Sequence, residues 1–349
     1  MSIEIRELSV GARVPHETPA VSIIIPNYNT AAFIAETLDS VFAQTFDDYE
    51  VIVINDASPD SDDLAAVLEP YRERIIFIDK SENSGTSPTR NFAAEHARAD
   101  ILAFLDADDI WQPTFLEEVL AFKRAAGYDM AYADAETFGV LHADVHDFLS
   151  ANPAEGEITR ELLVGGKCHI LPSGSLIDTD VFRRSGGFDP KVLRTEDFDL
   201  WMRFIFAGVG IGYLRKLLFK FRLRPGSGSG DSIQRIMRCR DVWLILQEKL
   251  PFTDEENALI AVHVAGEEAA LLRAEGRYAV SQRDWRTARQ KFRGAFRMAN
   301  RLGLPLAHRV KMLGIAVTLY VYPPMVLKMM LKNRPEEMAH MPRNDVPLA

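Results

Sequence analysis

Much about this 349-residue chain is settled by what it lacks. Cysteine is nearly absent: Cys168 and Cys239 stand far apart, with no second cysteine near either, which excludes a disulfide framework and a zinc knuckle. The first strand-like run is followed neither by GxGxxG nor by GxxxxGK[ST], and Gly165-Gly166-Lys167 runs into Cys168, so neither dinucleotide-binding nor phosphate-loop chemistry has its glycines. The first twenty residues carry three glutamates and no long apolar run, unlike a secretory signal. A cytoplasmic location is therefore expected. Acidic residues vanish between Arg286 and Arg334, where eleven Lys or Arg occur, although the whole chain has a net charge of -10. An acidic body thus ends in a basic tail, which could meet nucleic acid, anionic lipid or the body itself.

With 47% hydrophobic and 26% charged residues, the chain has the composition of an ordinary globular protein of about two domains. Short β-branched runs, VSIII at 21–25, VIVIN at 51–55, IIFID at 75–79 and ILAFLD at 101–106, alternate with stretches of helical spacing. This predicts an α/β domain with a mostly parallel sheet covered by helices on both faces. Ligands of such sheets sit beyond the carboxyl ends of the strands. The expected division is an N-terminal extension over 1–20, a domain over 21–230 with a nucleotide half (21–110) and an acceptor half (111–230), and a helical region over 231–349. The PGSGSGDS cluster at 225–232 reads as a mobile loop.

Each strand end carries chemistry-bearing residues. The first gives Pro26-Asn27-Tyr28-Asn29, and the second gives Asn55-Asp56-Ala57-Ser58, where a carboxylate could meet a nucleobase or simply form an Asx turn. Asn83-Ser84-Gly85 and Arg90 follow the third. After the fourth comes Phe104-Leu105-Asp106-Ala107-Asp108-Asp109; alternation along an extended chain would put Asp106 and Asp108 on one side, where a hard divalent cation would relieve their repulsion. Alternatively, Asp108 or Asp109 caps the helix expected near Pro113. Further on, Glu196 and Asp197 open a helix. There they could serve the helix dipole, or one could act as a general base.

In this order, IIIPNYN, INDASPD, the N-S-G and T-R-N pieces, FLDADD, GGFD, TEDFDLWMR and FRLRPGSGS resemble the family 2 glycosyltransferases of GT-A fold over about residues 20–230. The resemblance implies inverting transfer of a hexosyl or N-acetylhexosaminyl group from a nucleotide-diphosphate sugar, by default a UDP-sugar, to a glycan or lipid-linked acceptor, with Mn²⁺ or Mg²⁺. It also implies that Pro26, Tyr28, Asn29, Asp56, Asn83, Arg90 and Glu196 serve the nucleotide-sugar site, that Asp106 touches ribose or metal, that Asp108 binds metal, and that Asp197 is the base. Where relatives often carry a tyrosine-arginine pair and then histidine, this chain has Phe221-Arg222 and then Arg224, which suits neutralisation of the diphosphate better than metal ligation.

The rival from another class is a catalytically silent carbohydrate-binding or membrane-tethered scaffold. The joint presence of Asp106, Asp108 and Asp197 argues against it. The tail leaves two readings open. Met312 to Leu327 is uncharged but only sixteen residues long and is broken by Pro323-Pro324, too short to span a bilayer. It either packs as a helical hairpin or lies on an anionic membrane surface; nucleic acid has no recognisable motif here.

Overall fold

The structure, a computed structural model, describes residues 3–15, 17–139, 152–193, 195–224, 232–303, 306–321, 323 and 326. Residues 225–231 of the Gly/Ser cluster lie outside the described residues, so the mobile-loop reading is not addressed. The chain divides into two compact units, Met1–Arg222 and Leu223–Ala349.

The first unit is built on one mixed sheet. Its strands are β1 (Ile5–Val10), β2 (Val21–Asn27), β3 (Tyr49–Asn55), β4 (Ile76–Lys80), β5 (Ile101–Phe104), β6 (Ile110–Trp111), β7 (Met130–Gly139), β8 (Gly156–Glu157), β9 (Ser175–Asp178) and β10 (Ile211–Leu223). Their order is β1-β4-β3-β2-β5-β9-β7-β10-β6, with β8 paired to β10. The core β4-β3-β2-β5 is parallel, whereas β1 joins β4, β9 joins β5 and β7, and β10 joins β6 and β8 antiparallel. The four apolar runs of the sequence are these core strands. Within residues 1–20, Ile5–Val10 supply the edge strand β1, and its apolar Ile5, Leu8 and Val10 are exposed, so no buried stripe announces it.

The helices of this unit are α1 (Ile34–Phe42), α2 (Ser61–Leu68), α3 (Thr86–Glu95), α4 (Phe115–Ala126), α5 (Arg160–Val164), α6 (Thr179–Arg184) and α7 (Glu196–Phe206). Val21, Ile23 and Ile25 share a core with Ile34, Leu38 and Val41 of α1 and with Leu116, Val119 and Leu120 of α4. Pleat alternation turns Ile24, Ile52 and Ile54 to the other face, where they are equally buried and where α3 packs on β2 and β3. Both faces are thus covered, as the near-continuous apolar runs require.

In the second unit, α8 (Ser232–Lys249), α9 (Asp254–Ser281), α10 (Trp285–Arg301) and α11 (Leu306–Val321) pack in sequence. Thr253 and Glu256 form a reciprocal capping box at the start of α9. Ala316 and Leu319 of α11 are buried with Val280, Ala288 and Phe292, so the described part of the uncharged tail segment packs on α9 and α10. Leu313, Val317 and Tyr320 on the same helix are 44%, 53% and 56% exposed, which leaves a second, outward stripe. Among the described residues no helix is long and apolar enough to cross a membrane.

The amino end of the parallel core is pinned by one buried carboxylate. Glu50 Oε1 accepts from Ser22 Oγ (2.6 Å) and the Arg98 amide (2.8 Å), Oε2 accepts from Arg98 Nε (2.7 Å), and Ser22 Oγ accepts from the Ala99 amide (3.1 Å). Removing the carboxylate leaves buried donors unmatched. Glu50→Ala is therefore expected to cost about 2–3 kcal/mol in urea denaturation; a loss under about 0.5 kcal/mol would show that the network is replaceable by water.

Candidate active site

The site forms beyond the carboxyl ends of β2, β3, β4 and β5. Near the end of β2, Pro26 is half-buried, while Tyr28 and Asn29 after it are exposed. Asn29 has a φ of 55°, a conformation that asparagine tolerates, and its amide donates to Ser58 Oγ at 2.6 Å. Asp60 Oδ2 accepts from the Ala31 amide at 2.9 Å, so the turns after β2 and β3 are tied together.

Asp56 is buried and faces a partner the sequence reading missed. Lys80, the last residue of β4 and only 1% exposed, donates to Asp56, Ser84 Oγ and Thr89 Oγ1. The Ser84 and Gly85 amides add bonds to the Asp56 carboxylate at 3.0 and 2.9 Å. Asp56 thereby fixes the loop that carries the exposed Asn83. The available signal was a lysine directly after the IIFID run.

Arg90 is the centre of the arrangement. It is 3% exposed; Nη1 donates to Glu196 Oε1 at 2.9 Å, Nη2 donates to Asp106 Oδ1, and the guanidinium lies 5.3 Å from the centre of the Phe188 ring. Phe188 is held by the next residue along α3: Asn91 Nδ2 donates to the Phe188 carbonyl (2.8 Å), and Asn91 Oδ1 accepts from the Phe188 amide (2.9 Å). Gly187, with a φ of 67°, brings its backbone so close that a Cβ would lie 2.5 Å from Asn91 Oδ1. Arg203 closes the assembly by donating to Asp199, the Ser185 carbonyl and the Gly187 carbonyl. T-R-N, GGFD and TEDFDLWMR thus form one physical unit.

Asp106, Asp108 and Asp109 lie on a turn, not on an extended strand. β5 ends at Phe104 and the Asp109 amide donates to the Asp106 carbonyl at 3.0 Å, so strand alternation does not govern where these carboxylates point. Nor does Asp108 or Asp109 cap a helix: β6 intervenes, and α4 begins after Thr114. The turn is held from below by Ser173, whose Oγ accepts from the Asp106 amide (3.1 Å) and whose carbonyl accepts from Trp111 Nε1 (2.6 Å). It is held from the side by Arg222, which donates to the Asp108 carbonyl (2.7 Å), to Asp109 Oδ1 through its amide (2.9 Å) and to Glu36 (2.8 Å), with its guanidinium against Phe138 (4.3 Å) and Phe33 (4.9 Å). Arg222 therefore has a positioning task in this geometry. Arg224 is half-buried in the second unit.

Electrostatics mark the site. Burial, reinforced by the charges of Asp106 and Asp108, holds the Asp109 carboxyl well above the usual carboxylate range. Burial and then the neighbouring Glu196 push Asp197 up to about 7, against the Phe198 amide and Arg90, which favour its charged form. A carboxyl poised there can exchange a proton near neutrality. Among the described residues no group of three or more ligating side chains gathers. A hard divalent cation typically takes one or two carboxylates and completes its shell with water and phosphate oxygens. Asp106 and Asp108, whose charges already burden Asp109, fit that donor set.

The sequence profile of Glycosyl transferase family 2 matches residues 22–143. An uncharacterized glycosyltransferase of Rickettsia bellii is 29% identical over 248 residues, covering 68% of this chain and 34% of that protein, so the match spans about a third of its length. Among solved structures, Staphylococcus aureus TarS 1–349 in complex with UDP-GlcNAc is similar with a TM-score of 0.57 at 18% identity, covering 94% of each chain. The Pyrobaculum calidifontis mannosyltransferase PcManGT with GDP-Man and Mn²⁺ gives a TM-score of 0.57 at 16% identity, covering 96% of this chain and 89% of that one. The shared architecture is the GT-A fold.

Because Arg90 is buried between two carboxylates, truncating it strands their charges. Arg90→Ala should cost about 3–5 kcal/mol of stability by chemical denaturation, and Arg90→Lys should recover only part of that, since one ammonium cannot reproduce the fork. Equal stability of Arg90→Ala and the wild type would show that Asp106 and Glu196 do not depend on it.

Proposed function

We propose, from the premise that this chain is a family 2 glycosyltransferase acting on a nucleotide sugar, that it transfers a hexosyl or N-acetylhexosaminyl group from a UDP-sugar to a hydroxyl of a glycan or lipid-linked acceptor. The observation that carries the reading is the Asp197 carboxyl, poised about 7 beside an Arg90-bound Asp106. TarS, with UDP-GlcNAc bound, supports the default donor, and PcManGT, with GDP-Man, is the reason to test a second base. Pro26, Tyr28, Asn29, Asp56 and Asn83 would line the nucleoside, and Arg90 and Glu196 would shape the floor.

Asp197 would accept the proton of the acceptor hydroxyl as that oxygen attacks the anomeric carbon from the face opposite the diphosphate. The bond to the departing phosphate oxygen breaks with its electron pair, and configuration inverts. A divalent cation, Mn²⁺ as in PcManGT or Mg²⁺, would neutralise charge developing on the leaving group. Asp108, and Asp106 through the oxygen that Arg90 leaves, would hold it. Arg222 keeps the turn in place through Asp108 and Asp109. We place the protein in the cytoplasm, with peripheral contact to an anionic inner leaflet supported by the outward Leu313, Val317 and Tyr320 stripe.

A base must be deprotonated to act, so with Asp197 held up near 7, kcat/KM for the acceptor should rise with pH and level off above about 7, at a lower pH when the cation is bound. Asp197→Asn should lower transfer by roughly 10²–10⁴ and abolish that limb while donor affinity stays nearly constant. Loss of donor binding as large as the loss of turnover would move Asp197 to the nucleotide site.

Asp108→Ala should abolish transfer and the Mn²⁺-dependent part of nucleoside-diphosphate binding measured by calorimetry, with stability changed by less than about 1 kcal/mol. Full turnover of the wild type in excess chelator would overturn the metal assignment.

A further inference from the structure

Helix α10 carries two stripes of opposite character. Ala288, Phe292, Ala295 and Ala299, at i, i+4, i+7 and i+11, are buried. Arg286, Arg289, Arg293 and Arg297, at i, i+3, i+7 and i+11, line a cavity of about 550 Å³ together with Gln290 and Tyr320. Like charges at these spacings repel, and α10 contains no acidic residue to relieve them. Lys291, also on the cavity wall, is neutralised by Glu275 at 2.7 Å, and Asp284 lies near Arg286. Arg289, Arg293 and Arg297 have no carboxylate partner among the described residues. Two of them are instead ordered by Tyr320: the Arg289 guanidinium lies 4.7 Å from its ring centre, and Arg293 Nη1 donates to its hydroxyl at 3.3 Å.

A rise of 1.5 Å per residue makes this row about 16 Å long, with a cation every ~5–6 Å. A single small anion would engage one or two of these groups, whereas a chain of regularly spaced negative charges would engage all of them. The row lines a groove, which a thin chain enters and a flat bilayer surface does not. Tyr320 is the one aromatic residue on the described wall, and its ring is already covered by Arg289, so no free platform for stacking bases is present.

We infer that the groove between α9, α10 and α11 binds a linear phosphodiester-type polyanion through its backbone charges. The site stands independently of the donor reading, because its ligand contains no sugar nucleotide.

The test uses the full chain and a fluorescein-labelled decamer of abasic phosphodiester, followed by anisotropy across a salt series. The expected result is saturable binding whose log K falls with log salt, by about 0.7 per phosphate contacted. R289Q/R293Q/R297Q should bind at least tenfold more weakly with a shallower slope, and R293K/R297K, which keeps the charge, should bind nearly as the wild type does. Circular dichroism of each variant checks that the helices persist; if the triple variant unfolds, R297Q alone should still show a reduced slope. No binding by the wild type, equal binding by the triple variant, or displacement by orthophosphate at concentrations matching the decamer's phosphate would each overturn the inference. So would much tighter binding of a thymidine decamer, which would point to a nucleic-acid site. Arginine-dependent binding of phosphatidylglycerol vesicles without decamer binding would assign the row to a membrane surface.

Discussion

The buried guanidinium of Arg90 is the constraint on which the first unit's carboxyl end depends. It joins three segments distant in sequence: α3, on which it lies, the turn after β5 through Asp106, and the start of α7 through Glu196. A cation 3% exposed persists only where anions surround it, and Glu196, 6% exposed, tolerates its burial because that cation is there. The mutual dependence fixes the distance between the turn carrying Asp108 and the helix carrying Asp197. No helix propensity or apolar stripe could set that spacing, because the two segments belong to different layers of the fold.

Around this centre the same solution recurs. Parallel strands end in backbone groups and loops that no regular element satisfies, and each loop here is closed by a buried or half-buried polar side chain from another motif. Lys80 and Asp56 close the loop before α3, Asn91 closes the loop at Phe188, Arg203 closes the one at Gly187, and Arg222 and Ser173 hold the aspartate turn. A loop so tied presents its exposed members, such as Tyr28 and Asn83, from a rigid base.

The parallel core was legible because its strands are buried on both faces and therefore read as continuous apolar runs; VSIII, VIVIN, IIFID and ILAF are all there to be seen. The antiparallel half was not. β1 buries almost nothing, and β10 mixes Arg215, Lys216, Lys220 and Arg222 among its apolar residues. At the site, the acidic and amide residues stood out as types at strand ends, but their partners did not. Arg90 and Glu196 are 106 positions apart, and Arg222 reaches Asp108 across 114, separations that no local pattern encodes. The extended-strand argument for Asp106 and Asp108 failed for a local reason: the chain turns as soon as β5 ends.

The charge balance of the site gives its chemistry a direction. Asp106, Asp108, Asp109, Glu196 and Asp197 converge on a region whose cations among the described residues are Arg90 and Arg222, and both guanidiniums are already hydrogen-bonded within the protein. The raised proton affinities of Asp109 and Asp197 come first from burial and then from the neighbouring carboxylates, Asp106 and Asp108 for the one and Glu196 for the other. A diphosphate would add to that excess, and by repulsion alone it would be turned away. On the proposed reading, a divalent cation held by Asp108 would offset that repulsion and would favour the ionised form of Asp197, the form able to accept a proton. Donor binding and activation of the base would then be two consequences of one change in local charge.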